Sequence, residues 1–388
     1  MNHQSLVIIG SGLAGYAVAR ELRKLNTEIP ITMLSADHGG FYSKPMLSNA
    51  LATGKTPASI LSSDAAMMAS QLKITIRPFT RVNTIAHSSN TVFLENGENL
   101  SYSHLVLAVG ADPIRLPLSG NAVEEVLSVN DLDDYHRFRE TLKDKKEIAI
   151  LGAGLIGCEF ANDLAIAGYQ VHVIHIGAHP LGRLLPEEAG KYLQDKLTAA
   201  GIRFHLKTKV QRIERIGNRY HLIIDEDQMI EADLVLSAVG LRPRTQLAKA
   251  AGIYVNHGVV TNRYLQTENT TENTNIFALG DCAEVDGKVL PFVMPITHAA
   301  RALAATVAGT PTPVHYPPMP VFVKTPACPI VVSPPDPNVI GEWQIDANQD
   351  GVKALFQDMV GNLHGFALLG AATKEKNTIT PQLPPILA

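Results

Sequence analysis

The sequence predicts an α/β protein with two similar strand–turn–helix units and a small α+β region at the C-terminal end. Two observations predict this class. A glycine fingerprint, G-x-G-x-x-G, occurs twice, and each copy stands between a short apolar run and a segment with helical periodicity. The proline-rich stretch GTPTPVHYPPMP then leads into the last part of the chain, residues 313–388. We take each element in turn.

The first fingerprint follows Leu6–Ile9, a short apolar run typical of a buried parallel strand. Gly10, Gly12 and Gly15 form the pattern, and apolar residues recur after it at helical spacing. In such a turn the first glycine permits a tight bend, the second lets backbone approach a pyrophosphate, and the third lets the helix pack closely on the strand. The positive N-terminus of the helix then faces the phosphates. This segment therefore predicts a dinucleotide site.

The second fingerprint repeats this arrangement with Gly152, Gly154 and Gly157, after the apolar run 148–151 and before another helical segment. One G-x-G-x-x-G is a weak signal, whereas two copies in the same strand–turn–helix context are a strong one. They predict two Rossmann-like dinucleotide-binding domains and two cofactors, FAD and a nicotinamide dinucleotide.

The usual carboxylate at the end of the second strand, which binds a ribose hydroxyl, is missing from both units. In the first unit Ser35 stands there, so the ribose contact could come from Ser35, from the backbone of Ala36 or from Asp37. In the second unit the position holds His175, and Arg183 lies several residues further on. These residues leave the choice between NADH and NADPH open.

The order of the motifs predicts the domain boundaries. Two buried strands that each end in Gly and Pro, 104–113 and 233–244, indicate where the chain leaves the first nucleotide domain and returns to it. We expect three domains: a discontinuous FAD-binding domain at 1–112 and 242–312, an NAD(H)-binding domain at 113–241, and a small C-terminal domain at 313–388. After the return, Asp281 follows an apolar run, where it could bind a ribityl hydroxyl or cap a helix. The two upstream fingerprints favour the cofactor role.

The composition argues against several functional classes. The 388 residues are 46% hydrophobic and 18% charged, which is typical of a globular protein. A net charge of −4 gives no bulk attraction for nucleic acid. No apolar stretch reaches the roughly 18 residues of a membrane span, and the N-terminal residues do not resemble a signal peptide. We therefore expect a cytoplasmic protein that binds neither nucleic acid nor membrane.

The motifs together resemble the flavoproteins that bind two dinucleotides, the superfamily of the disulfide reductases and ferredoxin reductases. Within it, YSKPMLS, GAGLIGCEFANDL, SAVGLRPRT, ALGDCAEVDG and MPVFVKTPACPIVVSPP resemble the rubredoxin–NAD(+) reductases over nearly the whole chain. The resemblance implies an enzyme that passes electrons from NADH through FAD, one at a time, to rubredoxin, a small acidic iron protein. Alkane degradation and oxygen detoxification are the pathways that the family suggests.

The resemblance also implies site residues. NADH would be held by the second fingerprint, Gly152 to Gly157. The FAD contacts would come from these positions: Gly10, Ser11, Gly12, Leu13, Ala14, Gly15, Ser35, Ala36, Lys44, Val82, Glu159, Asp281, Val293 and Lys324.

A difference from the disulfide reductases lies in GFYSKPMLSNAL, residues 40–51. Many flavoenzymes of the superfamily carry two redox cysteines here, separated by four residues, whereas this chain has Ser43 and Ser48. The cysteines that it does have, Cys158, Cys282 and Cys328, are widely spaced; we expect packing residues, with no disulfide and no metal site. Electrons would therefore leave the flavin for an external one-electron carrier.

We expect Lys44 and Glu159 to be the catalytic residues, as an ion pair that joins the two nucleotide domains beside the reacting ring. Lys324, from the last domain, would reach the polar edge of the flavin. With Lys44 and Arg301 it would form a positive rim that attracts an acidic acceptor. The C-terminal domain is smaller than the one that dimerises disulfide reductases, so a monomer is expected. The alternatives are a ferredoxin reductase, an NADH oxidase, against which Ser43 argues, and a non-enzymatic flavoprotein.

Overall fold

The computed structural model describes residues 4–225, 228–268 and 275–388. It confirms the predicted α/β class. The first unit has a five-stranded parallel sheet whose last strand in the chain, Ile276–Ala278, pairs with His104–Leu107 at one edge. This sheet is thus assembled from both sides of the second unit. In spatial order its strands are Ile276–Ala278, His104–Leu107, Leu6–Ile9, Ile31–Leu34 and Thr75–Arg77.

Two helices cover the first sheet and pack against each other, Leu13–Leu25 and Val293–Val307. The buried residues Ala14, Val18 and Leu22 recur every fourth position of the first helix, as the sequence predicts. Smaller elements surround this core. The strands are Phe41–Tyr42, Leu61–Ser63, Val82–Ala86, Thr91–Leu94, Asn99–Ser101, Val259–Thr261 and Ala283–Val285; the helices, some of them 3₁₀, are Lys44–Asn49, Pro57–Ile60, Ala65–Leu72, His87–Ser89, Gln246–Ala250 and Gly280–Cys282.

The second unit has a four-stranded parallel sheet and a three-stranded antiparallel sheet. The chain passes between the units at Ala111–Pro113 and Leu241–Pro243, which pair antiparallel with each other. The parallel strands in spatial order are Ile202–His205, Gln170–Ile174, Glu147–Leu151 and Leu234–Ser237, and the antiparallel ones are Arg212–Ile216, Arg219–Asp225 and Gln228–Ala232. The helices are Val123–Glu125 (3₁₀), Leu132–Thr141, Leu155–Ile166 and Glu187–Ala199.

The C-terminal region is a five-stranded antiparallel sheet followed by short helical turns, Ala371–Glu375, Lys376–Ile379 and Thr380–Gln382. One hydrophobic cluster contains Val332 and Leu369 from this sheet together with Leu164 from the second unit and Leu47 from the first. All three parts of the chain therefore meet in a common core. In spatial order the strands are Val321–Val323, Ile330–Ser333, Leu363–Gly370, Gly351–Asp358 and Gly341–Ala347.

The helices of these described ranges are short or carry too many polar residues for a bilayer. None of them combines the length and the apolar character that a membrane crossing requires.

Candidate functional site

The first glycine turn has one glycine that packing does not explain. Gly10 has φ +113°, and a Cβ there would collide with the carbonyl oxygen of Ala108. A Cβ on Gly15 would collide with the carbonyl oxygen of Gly10, so this glycine permits the close helix–strand contact. Gly12 differs, because a Cβ there would have no heavy atom within 4 Å. The fold itself tolerates a side chain at Gly12, whereas a pyrophosphate lying on the turn would not.

The second glycine turn repeats the same division of roles. Gly152 has φ +104°, and Gly157 approaches the Gly152 carbonyl oxygen too closely for a Cβ. Gly154 is the open position, because a Cβ added there would again have no heavy atom within 4 Å. Leu13–Leu25 and Leu155–Ile166 start directly after the two open glycines, so that both helix N-termini face the turns. The residues present therefore fit two dinucleotides.

A hydrogen-bonded cluster lies at the end of the second strand of the first unit. The Ser11 and Ser35 hydroxyl oxygens are 2.6 Å apart, and Ser35 donates to Oδ1 of Asp37 at 2.5 Å. The Gly39 amide donates to the same carboxylate oxygen at 2.8 Å. The side chain of Ser35 is thus buried and engaged with Asp37, and the hydroxyl of Ser11 lies 3.3 Å from that carboxylate oxygen. Of the three ribose contacts left open by the sequence, this geometry favours Asp37.

The predicted cofactor residues Val82 and Val293 begin a strand and a helix near the first turn. Val82 starts Val82–Ala86, two residues after Thr80, whose amide donates to the carbonyl oxygen of Ser35 at 2.6 Å. Val293 starts Val293–Val307. A Cβ added to Gly280 would lie 2.9 Å from the side chain of Ala14. It would lie 3.8 Å from the side chain of Ile296, in the first turn of Val293–Val307. These contacts bring distant segments of the chain together around the first glycine turn.

Lys44 and Asp281, two of the residues predicted to bind the cofactor, lie close to each other. Asp281 belongs to the turn Gly280–Cys282, and its Oδ2 lies 4.0 Å from Nζ of Lys44. Nζ of Lys44 also donates to Oδ1 of Asn130 at 2.8 Å. Burial lowers the pKa of Lys44, and the charge of Asp281 opposes that shift. This cation is therefore placed between one carboxylate and one amide.

The predicted ion pair between Lys44 and Glu159 is wrong. Glu159, whose side chain is fully buried, pairs instead with Lys324: its Oε2 is 2.6 Å from Nζ, and its Oε1 accepts from the Lys324 amide at 2.8 Å. Ser48 donates to Oε2 of Glu159 at 2.5 Å. Lys44 and Ser48 lie on the same short 3₁₀ helix, Lys44–Asn49. At three residues per turn, side chains four positions apart on such a helix point to different sides.

We name Ser48, Glu159 and Lys324 the junction triad, because one residue comes from each of the three parts of the chain. Nζ of Lys324 also lies 3.3 Å from Oγ of Ser48, so the three side chains are in mutual contact. A buried carboxylate needs both a cation and hydrogen-bond donors to be tolerated. Glu159 has them: one ammonium, one hydroxyl and one backbone amide.

Two further polar residues of the same helix, Leu155–Ile166, were not predicted as site residues. Oδ2 and Oδ1 of Asp163 accept from the amides of Leu51 and Ala52 at 3.0 and 2.9 Å. Oδ1 of Asn162 accepts from the Ala327 amide at 3.1 Å. The sequence did contain a signal, because polar residues at i, i+3 and i+4 interrupt an otherwise apolar helix.

The cysteines agree with the expected packing role. Cys158, Cys282 and Cys328 are all free and buried. Burial raises the pKa of Cys158 to about 12 and those of Cys282 and Cys328 to about 11, which suppresses the reactive thiolate. Ser48 is buried within the junction triad. Ser43 occupies the N-cap position of the 3₁₀ helix that carries Ser48, and its side chain forms no capping hydrogen bond there.

Comparison with known proteins places the chain among flavin-type reductases. Residues 4–305 match the family model described as pyridine nucleotide-disulphide oxidoreductase, and residues 313–383 match the one described as rubredoxin binding C-terminal domain. The chain is 47% identical to the rubredoxin-NAD(+) reductase of Acinetobacter baylyi, with 98% of each chain covered. It is 45% identical to that of Alcanivorax borkumensis, covering 98% of this chain and 99% of the relative.

A solved structure supports the same placement. The crystal structure of a ferredoxin reductase from Rhodopseudomonas palustris superposes with a TM-score of 0.86 and 26% identity, covering 96% of this chain and 92% of that one. The sequence motifs, the two glycine turns and the shared fold agree with one another. The chain therefore belongs to the pyridine nucleotide-disulphide oxidoreductase family.

Proposed function

We propose that the protein transfers electrons from NADH through FAD, one at a time, to rubredoxin. The observation that carries this proposal is the position of Lys324. It lies in the region that matches the rubredoxin binding C-terminal domain, and its Nζ contacts Glu159 of the second unit and Ser48 of the first. An acceptor docked on the C-terminal domain would thus lie next to the place where the two nucleotide units meet.

The residues of the first unit would hold FAD. When bound, FAD supplies the redox chemistry, since it takes up an electron pair and releases electrons singly. The turn that contains Gly12 would bind the pyrophosphate, and Asp37 would accept a hydrogen bond from the ribose. Asp281 would accept from a ribityl hydroxyl beside Lys44. The turn that contains Gly154 would bind NADH in the second unit.

Lys44 would stabilise negative charge on the reduced ring. Its ammonium group, on a half-buried side chain, is held by Asn130 and Asp281. Further water would be excluded from it when FAD is bound, and a positive charge acts more strongly there than in water. Glu159 would act separately, by fixing Lys324 and the contact between the units. The two predicted catalytic residues would therefore work through different partners.

The Lys44→Ala variant tests this role. Loss of the cation should slow the NADH-dependent reduction of bound FAD about tenfold or more, which corresponds to ~1.4 kcal/mol. Stopped-flow absorbance at the flavin band measures the rate, and Lys143→Ala, which removes an exposed lysine paired with Glu140, is the matched control. An unchanged reduction rate in Lys44→Ala would exclude Lys44 from the mechanism.

The acceptor is tested with a panel of purified rubredoxin and ferredoxins. With NADH in excess, rubredoxin should be reduced fastest, because residues 313–383 match the rubredoxin binding C-terminal domain. Rubredoxin reduction should slow modestly as the salt concentration rises, because the proposed rim of Lys44, Arg301 and Lys324 would attract an acidic partner. The effect is modest because Asp281, Glu21 and Glu159 partly compensate these three charges. Ferricyanide reduction should change less. Equal or faster reduction of a ferredoxin would favour the ferredoxin reductase instead.

We further propose a monomer with domains 1–112 and 242–312, 113–241, and 313–388. The antiparallel pair at Ala111–Pro113 and Leu241–Pro243 supports the inner boundaries. Light scattering on the purified protein tests the monomer, and a mass of twice the chain mass of 41.8 kDa would contradict it. The cytoplasmic location and a role in alkane degradation stay predictions.

A further inference from the structure

The carboxyl end of Gln170–Ile174 is the place in this fold where a nicotinamide dinucleotide presents its adenine ribose. A carboxylate there accepts hydrogen bonds from the 2′-hydroxyl and repels a 2′-phosphate, whereas basic side chains accommodate the phosphate. The position of this carboxylate is the first residue after the strand, and in this chain it is His175. Its identity therefore bears on which dinucleotide can bind.

Basic side chains gather around this strand end. The His175 ring folds over the next turn, so that a Cβ on Gly177 would lie 2.5 Å from its Nε2. The Lys207 amide donates to the Gly177 carbonyl oxygen at 2.9 Å, which brings that lysine to the same turn. Burial, and then the charges of His179 and Arg183, lower the pKa of His175. The Leu181 amide donates to the carbonyl oxygen of Ala153 at 2.8 Å, which holds the segment that carries Arg183 beside the second glycine turn.

No carboxylate compensates for these basic groups within the turn. Residues 175–186 contain neither Asp nor Glu. The first acid that follows, Glu187, lies on the helix Glu187–Ala199 and forms an ion pair with Lys191 at 2.6 Å. In the first unit, by contrast, Asp37 follows its strand end after two residues and is held there by Ser35. Glu187 also interacts with the charges of His179 and Lys207, but no acid among the described residues acts on His175, so the strand end itself lacks the group that excludes a phosphate.

We infer that the nicotinamide site accepts NADPH as well as NADH, with His175 and Arg183 as the side chains that receive the 2′-phosphate. This inference rests on the proposed function, because it concerns the electron donor of the same reaction. Arg183 is exposed and supplies a permanent charge, and its planar guanidinium suits phosphate oxygens. His175 supplies one further donor at the strand end without the repulsion of a carboxylate. Discrimination between the two dinucleotides is therefore small.

Binding of nucleotide fragments tests the inference without turnover. The probes are 2′,5′-ADP, which carries the 2′-phosphate, and ADP, which lacks it, titrated into the FAD-loaded protein by calorimetry. The unchanged protein should bind 2′,5′-ADP at least as tightly as ADP. His175→Glu should weaken 2′,5′-ADP at least tenfold and should not weaken ADP, because the new carboxylate can accept from the 2′-hydroxyl that ADP keeps. Arg183→Ala should weaken 2′,5′-ADP more than ADP. The control is His136→Glu, which adds the same charge at an exposed helical position of the second unit.

Two results would overturn the inference. One is ADP binding tenfold tighter than 2′,5′-ADP to the unchanged protein; the other is His175→Glu weakening both probes equally. A second readout uses ferricyanide as acceptor and compares kcat/KM for NADPH and NADH. The two values should lie within about tenfold of each other, and His175→Glu should lower the value for NADPH relative to the value for NADH at least tenfold. Since ferricyanide replaces the protein acceptor, failure of the rubredoxin proposal would leave these measurements intact.

Discussion

The two nucleotide-binding units of this chain share their glycine turns and differ in almost everything around them. In each turn the first position requires glycine because its φ is positive, and the third because helix and strand approach closely. At the middle position no protein atom would obstruct a Cβ. The strand ends diverge: Asp37 accepts from the hydroxyls of Ser11 and Ser35 in the first unit, whereas His175 lies among basic side chains in the second. This difference is expected if a bound pyrophosphate constrains the turn while the residues at the ribose end can change.

The helices that follow the two turns diverge as well. Leu13–Leu25 buries one side and carries charged residues such as Lys24 on the other. Leu155–Ile166 is buried over most of its length and carries Glu159, Asn162 and Asp163 into contacts with both other parts of the chain. A helix with one solvent-facing side can keep its polar residues in water. A helix buried between three parts of the chain must hydrogen-bond its polar side chains to groups of the other two parts.

The largest expected effect is a difference in stability between alanine variants of Gly152 and Gly154, two glycines of the second turn. Gly152→Ala should destabilise the protein by roughly 3 kcal/mol or more, because the new Cβ meets the Ala238 carbonyl oxygen at 2.6 Å and φ is +104°. Gly154→Ala should leave the free energy of unfolding within about 1 kcal/mol and keep FAD bound, because its Cβ points into open space. NADH affinity should nonetheless fall at least tenfold. Urea unfolding and NADH titration measure the two effects.

Gly12→Ala provides the counterpart in the first unit. It should fold, keep its NADH site and lose affinity for FAD, since a Cβ at this position is equally unobstructed by the protein. Equal destabilisation by Gly154→Ala and Gly152→Ala would mean that the open glycines serve the fold rather than the ligand.

The next effect concerns the junction triad. Lys324→Met leaves the fully buried Glu159 without its cation and should cost about 2–3 kcal/mol of unfolding free energy. Adding Glu159→Gln should restore part of this stability, because an uncharged amide replaces the uncompensated carboxylate. Lys353→Met is the matched control, since it breaks a half-exposed pair with Glu375 and should cost less than about 1 kcal/mol. A double variant no more stable than Lys324→Met would contradict the electrostatic explanation.

Much of the fold could be predicted from local patterns. The glycine fingerprints, the apolar strands and the helical repeat of Ala14, Val18 and Leu22 each depend on residues close in sequence. The order of motifs likewise predicts a return of the chain after residue 241, and the first sheet does contain a strand from beyond that point, Ile276–Ala278. Local periodicity decides these features, and it is visible in a single sequence.

The partner of Glu159 could not be predicted in the same way. Lys44 and Lys324 are both lysines from other parts of the chain, and the choice between them depends on how the C-terminal sheet docks on the second unit. Residues that meet only through such packing leave no periodic signal. Asn162 and Asp163 were recognisable as polar residues in an apolar helix, but their partners, backbone amides in distant loops, were not.

The smallest effect tests whether the second helix holds the segment that carries Lys44 and Ser48. Asp163 accepts from the amides of Leu51 and Ala52 with one oxygen each. Asp163→Asn replaces one acceptor oxygen with an NH₂ group that faces a backbone amide donor. The free energy of unfolding should fall by about 1–2 kcal/mol. Asp195→Asn, an exposed change on another helix, should cost less than about 0.5 kcal/mol.

The pH dependence of this variant gives the sharper measurement. Burial raises the pKa of Asp163 above its ordinary value, and the two amides only partly oppose the shift. The folded protein therefore holds this proton to higher pH than the unfolded chain, so the contribution of Asp163 to stability is greatest below about pH 4. It declines as the pH rises through the folded-state pKa. The difference in unfolding free energy between the unchanged protein and Asp163→Asn should therefore shrink as the pH rises over that range. A difference that grew with pH would instead show that burial between the two units stabilises the carboxylate rather than penalising it.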